Sequence, residues 1–156
     1  MLKNFRRVRS LADWTKRSGV WTSEPLSSIR KIAGWTAATL GDKIGVTKQT
    51  ISNLENQKSP MTFTQYIAIR AVLDAEVEKN KENTVLPKVI TILLDSDVGL
   101  DDDTYEEVQK SVEQVAASAA GGVTGGALVS VFAALVPIAG TILGTMSVLN
   151  WKKLLK

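Results

Sequence analysis

LGDKIGVTKQTISNLEN, residues 40–56, is the stretch on which the fold turns. Gly45 supplies a tight turn, because a residue without Cβ enters the left-handed region at no steric cost. Thr47 follows as an N-cap, its hydroxyl placed to accept from a backbone N–H of the next turn. A helix over Lys48 to Glu55 then turns Ile51 and Leu54 inward at i, i+3 spacing. The opposite face carries Lys48, Gln49, Ser52 and Asn53, all polar. Upstream, Pro25 falls early in a helix that places Leu26, Ile29 and Ile32 on one face and ends at Gly34. Thr36 caps a second helix through Ala37-Ala38-Thr39-Leu40. Downstream, Pro60 closes the third helix, and a fourth begins near Thr62 and runs through Phe63, Tyr66, Ile67, Ala71 and Val72. Two short helices joined at Gly45 have the pattern of a helix-turn-helix.

The stretch Ile29 to Leu73 resembles the Cro/cI-type helix-turn-helix family, also called the XRE family, and residues of about 24–78 fall under that likeness. Leu40 to Asn56 carries it: a second helix, a glycine turn, a capped recognition helix and a terminal Leu54-Glu55-Asn56. The resemblance implies a small all-α bundle that binds DNA, commonly as a dimer. Three positions depart from the family pattern. The Gln that usually follows the capping Thr of the second helix, where it helps hold a phosphate, is Ala37. The small residue after Leu40, usually Ala, is Gly41, which weakens a helix slightly. The Gly that often follows Glu55-Asn56 is Gln57.

The residue chemistry points the same way. A helix entering the major groove must present donors and acceptors from its first turns. Gln49 and Asn53 suit adenine edges, Lys48 suits guanine or phosphate, and Ser52 lies on the same face. Thr47, Thr50, Asn56 and Lys58 suit phosphate or sugar contacts. A merely solvated face would commonly be rich in Glu–Lys pairs, and this one has a single acid at its far end.

Charge is divided along the 156 residues. Residues 1–58 hold eleven Lys/Arg and four Asp/Glu, residues 59–113 five and twelve, and residues 114–156 three Lys and no acid. The modest net charge of +3 therefore conceals a basic front and an acidic middle, and the front faces an anionic partner. There is no Cys and no His. Disulfides, zinc sites built on those residues, thiol catalysis and a Ser-His-Asp triad are excluded. No enzyme, cofactor, metal or small-molecule substrate is expected.

Residues 1–22 form a basic arm with Leu2, Phe5, Val8, Leu11 and Trp14 at helical spacing, suited to phosphate or a membrane surface. Residues 79–88 read as a polar linker, and Val89 to Leu94 as a short buried strand or one face of a short helix. Asp95 to Asp103 resembles a calcium loop only loosely, since its Gly comes a place early; a hydrated turn is the simpler reading. Thr104 with Glu107, or Asp103 with Glu106, forms a capping box for a helix striped by Val108, Val112, Val115 and Ala119.

From Gln114 to Trp151 there is no charged residue. Ala127 to Leu149 is 23 residues long, enough to cross about 30 Å of hydrocarbon as a helix. Small residues recur at Ser118, Gly122, Gly126, Ser130 and Ala134, with Gly140 and Gly144 as a further pair, the spacing that lets helices approach closely in lipid. One span, a two-pass hairpin and a buried hairpin in a soluble oligomer all remain open.

The expectation is an all-α chain: a basic arm (1–22), a Cro/cI-like bundle (23–78), an acidic connector (79–103) and a helical, membrane-associated segment with a Gly-rich tail (104–156). The expected function is sequence-specific binding of double-stranded DNA by a homo-oligomer held to a lipid bilayer, in a bacterial cytoplasm at the inner membrane. Two other classes are open: a membrane-linked docking scaffold for proteins, and a membrane-permeabilising effector with a helix-turn-helix sensor.

Overall fold

The computed structural model describes residues 25–94 and 102–120, with Ala127, Ser130, Val131 and Lys152 beside them. The basic arm, the acidic run 95–101 and the tail positions Gly122, Gly126, Ala134, Gly140 and Gly144 lie outside the described residues. Six helices follow one another: α1 (Leu26–Ile32), α2 (Ala37–Ile44), α3 (Lys48–Glu55), α4 (Phe63–Lys79), α5 (Val85–Leu93) and α6 (Asp102–Ala120). No strand occurs among the described residues, as expected for an all-α chain.

Local chemistry sets the boundaries. Thr36 and Thr47 accept from Thr39 N and Thr50 N at 3.0 and 3.1 Å, which satisfies an orphan donor at the start of α2 and of α3. Thr62 and Gln65 form a reciprocal capping box at the start of α4. Gly34 and Gly45 sit at φ +80° and +76°, and each ends a helix in a left-handed C-cap.

Packing is centred on α1. It lies against α6 over its most extensive contact, and also against α5 and α3; α2 packs on α3 and on α4. One core results, running from Leu26, Ile29 and Ile32 through Ile51, Leu54 and Leu73 to Val85, Val89, Val112 and Val115. It crosses the composition boundaries at residues 79 and 104. The stretch 79–88 contains the start of α5, in which Val85, Leu86 and Val89 are completely buried. Pro87 looks like a breaker but falls at the third helical position, where no intrahelical donor is lost. Asn83 joins this helix to α1: its Nδ2 donates to the Ile32 carbonyl at 2.7 Å, and its Oδ1 accepts from Leu86 N at 3.2 Å. The apolar run 89–94 is thus helical. α6 is already under way at Asp102, so Asp103 and Thr104 lie inside its first turn and do not cap it. Its stripe of Val108, Val112 and Val115 is buried, with Ala119 packed at the edge.

Among the described residues no helix is long and apolar enough to cross a membrane. Gln114–Ala120, the first part of the uncharged run, belongs to α6, and Val115 and Ala116 face the core. Ser118 donates back to the Gln114 carbonyl at 3.1 Å, and Ser130 is exposed. Val131 is half-buried and packed against the core.

The shared core makes α6 part of the same cooperative unit as α1–α5. Val112→Ala is expected to lower the stability of the whole chain by about 2 kcal/mol, from lost burial and the cavity left behind. In denaturation followed by hydrogen exchange, the α1 and α3 amides should lose protection together with those of α6. Unchanged protection of α1 and α3 would show that α6 is a separate unit.

Candidate nucleic-acid interface

The turn Gly45-Val46-Thr47 sets α3 against α2. Val46 N donates to the Gly41 carbonyl at 2.9 Å, which folds the turn back onto the helix it leaves. That return passes so close that a Cβ on Gly41 would lie 2.6 Å from the Val46 carbonyl oxygen. Gly41 therefore does more than soften α2: it is the residue that leaves room for the turn.

Ile51 and Leu54 of α3 are buried in the core. The other side of the helix displays the residues singled out for binding. Thr47, Lys48, Gln49, Asn56 and Lys58 are exposed, and Thr50, Ser52 and Asn53 are partly so. All eight lie on or directly flank this one helix. Most are held by local hydrogen bonds. The Thr47 and Thr50 hydroxyls are 3.0 Å apart, Gln49 Nε2 donates to Asn53 Oδ1 at 3.0 Å, and Asn56 Nδ2 donates to Ser52 Oγ at 3.3 Å.

Glu55, the acid at the far end of α3, does not join this face. Arg30 Nε donates to Glu55 Oε1 at 2.5 Å and Arg30 Nη2 to Glu55 Oε2 at 3.2 Å. Arg30 Nη1 donates to the Trp35 carbonyl at 2.7 Å. Both side chains are 11% exposed. The outward side of α3 thus carries Lys48 and donors and acceptors, and Lys58 follows just past its end. The cation of Lys43 lies 4.9 Å from the centre of the Trp35 ring, beside the α1–α2 turn.

The end of α3 shows how the chain manages without glycine. Gln57 sits at φ +57°, Lys58 N donates to the Asn53 carbonyl at 2.8 Å, and Gln57 N donates to the Leu54 carbonyl at 3.1 Å. These are the two bonds of a Schellman cap with a non-glycine residue at its left-handed position. Gly34 makes the same pair of bonds after α1, through Trp35 N to Arg30 O and Gly34 N to Lys31 O.

Residues 26–79 match a family model described as Helix-turn-helix. This segment is similar to that family, in agreement with the Cro/cI-type likeness of residues 40–56. The match ends with α4, so α5 and α6 complete the core of the helix-turn-helix domain from beyond the family segment. Neither the curated proteins nor the solved structures gave a match.

Two features of the helix-turn-helix domain escaped the sequence reading. Arg30 is the residue that fixes α3 on α1, and its only sequence signal is a basic side chain in the last turn of a short helix. Thr39 shares its hydroxyl with Thr36 at 2.8 Å, giving the start of α2 the same threonine pair as the start of α3. Ala37, the residue after the Thr36 cap, is packed against the core. The shifted carboxyl groups lie away from α3. Hydrogen bonds from Lys81 and Lys110 hold Glu78 and Glu106 below the ordinary carboxylate range, both on exposed helix surface.

Opposite effects are expected at two backbone positions. Gly41→Ala should destabilise the domain although Ala is the better helix former, because the new Cβ meets backbone that cannot yield. Gln57→Gly should raise stability by about 1 kcal/mol or less, relieving a left-handed non-glycine residue at some cost in unfolded-chain entropy. Thermal melts of the two variants check both signs.

Proposed function

We propose that the protein is a sequence-specific DNA-binding protein of the transcription-regulator type, with α3 as its recognition helix. The observation that carries this reading is the outward side of α3. It carries Lys48, Gln49, Ser52 and Asn53 side by side, and its one acid is withdrawn onto Arg30. Such a surface offers the major groove both donors and acceptors and meets the phosphates with no opposing charge. The helix-turn-helix match supports it, since that family is largely DNA-binding. In this reading Lys48, Gln49, Ser52 and Asn53 contact bases, and Thr47, Thr50, Asn56 and Lys58 contact phosphate or sugar. The basic arm adds salt-dependent, sequence-independent affinity. Two copies of the chain would bind two half-sites.

A second element of the proposal concerns the tail, and its support is the uncharged run in the sequence. Gln114–Ala120 is used by α6 and Val131 packs against the core, so 20 residues, 132–151, are left for a bilayer. That suffices for one pass and falls short of the roughly 40 residues that two passes need. Membrane tethering through residues 132–151 would place the DNA-binding domain at the inner face of a bacterial membrane.

The full chain should enrich a discrete motif from a random DNA pool at moderate salt, and the Lys48→Ala, Gln49→Ala, Ser52→Ala triple variant should not. No enrichment by a folded wild-type chain would sink the regulator reading in favour of protein docking. In flotation with anionic phospholipid vesicles, the full chain should rise with the lipid and a chain ended at residue 120 should stay below. A full chain that stays below would refute the tether.

A further inference from the structure

Gln49 and Asn53 are one helical turn apart, and their amides are bonded to each other: Gln49 Nε2 donates to Asn53 Oδ1 at 3.0 Å. The bond uses a donor of the first amide and an acceptor of the second. The complementary groups, Gln49 Oε1 and Asn53 Nδ2, are left with unused capacity as acceptor and donor. In the major groove adenine sets an N6–H donor beside an N7 acceptor. Guanine presents two acceptors, cytosine a donor, and thymine an acceptor beside a methyl group. An acceptor and a donor held together are the complement of adenine.

We infer that Gln49 and Asn53 form one composite reader of a single adenine, with Gln49 Oε1 accepting from N6 and Asn53 Nδ2 donating to N7. The inference rests on the DNA-binding reading and goes beyond it by assigning two side chains to one base. Reading of two separate bases by the two amides would require two rotamer-rich side chains to be ordered separately. The composite keeps their mutual hydrogen bond and brings both side chains to the base already restrained, so less freedom is lost on binding. Nothing acidic on α3 competes for the Asn53 donor, because Glu55 is engaged by Arg30. Both residues are accessible, Gln49 fully and Asn53 partly.

The test uses the full chain and base-resolved binding specificity, with Gln49→Ala, Asn53→Ala, the double variant and Asn53→Asp. Both single Ala variants should flatten the same adenine position by about tenfold or more, and the double variant should flatten it no further. Asn53→Asp keeps an acceptor for Gln49 Nε2 but removes the donor. It should lose adenine at that position and shift toward cytosine, whose N4 donates to a carboxylate, with the other positions unchanged. The composite is overturned if the two Ala variants flatten different positions or if their effects multiply. It is equally overturned if Asn53→Asp keeps the adenine preference, which would make Asn53 a helix-stabilising partner only. A folded wild-type chain that selects no motif would sink this inference and the DNA-binding reading together. A selected motif with independent effects would sink the composite alone.

Discussion

The Arg30–Glu55 pair is the interaction on which the placement of α3 depends. Glu55 is the last residue of α3, where the negative end of the helix dipole disfavours a carboxylate. It is also nearly buried, so without a partner its charge would be costly. Arg30 meets both conditions. It lies in the last turn of α1, a favourable place for a cation, and grips the carboxylate with two nitrogens. Its third nitrogen holds the Trp35 carbonyl. One guanidinium thereby fixes three things at once: the end of α3, the end of α1 and the turn into α2. The planar fork matters here, since a lysine could not make the paired contact and the carbonyl contact together.

That clamp works because the chain around it is stopped sharply. Gly34, Gly45 and Gln57 each take a positive φ just past a helix, at the ends of α1, α2 and α3. Short helices of seven or eight residues have little stability of their own, and most of what they have comes from packing and from well-satisfied ends. Gly41 adds a different constraint. Its missing Cβ lets the Val46 carbonyl approach α2, which sets how tightly α3 folds back.

What could be read from the sequence was what is local. The caps Thr36, Thr47 and Thr62, the stops at Gly34 and Gly45, and the stripes Ile51/Leu54 and Val108/Val112/Val115 each involve residues within about a turn or two of one another. The eight residues proposed for DNA were legible for the same reason, as they lie on or beside a single helix. Contacts between distant residues were not legible. Arg30 and Glu55 are 25 positions apart, and Asn83 and Ile32 are 51 apart. In α4, of the expected apolar residues Tyr66 is buried, Phe63, Ile67 and Val72 pack at the edge of the core and Ala71 is exposed, while Ile69 and Leu73 are buried beside them. The α5 segment was obscured by its neighbours: lysines and Glu82 before it, acids after it, and a proline within, hid nine residues of mostly buried helix.

The extension of the core past residue 79 changes what α3 rests on. In the family-matched segment α3 leans on α1 and α2. Here α1 is itself held from the far side by α5 and, most extensively, by α6. The side of α1 that takes the α6 valines and the Arg30 side chain that takes Glu55 belong to the same seven-residue helix, too short to bend between them. α6 and the Arg30–Glu55 pair therefore bear on the same short helix. The acidic stretch between α5 and α6 separates two halves by composition, but the packing joins them. α6 is thus part of the support of the proposed DNA-reading helix and not a detachable appendage.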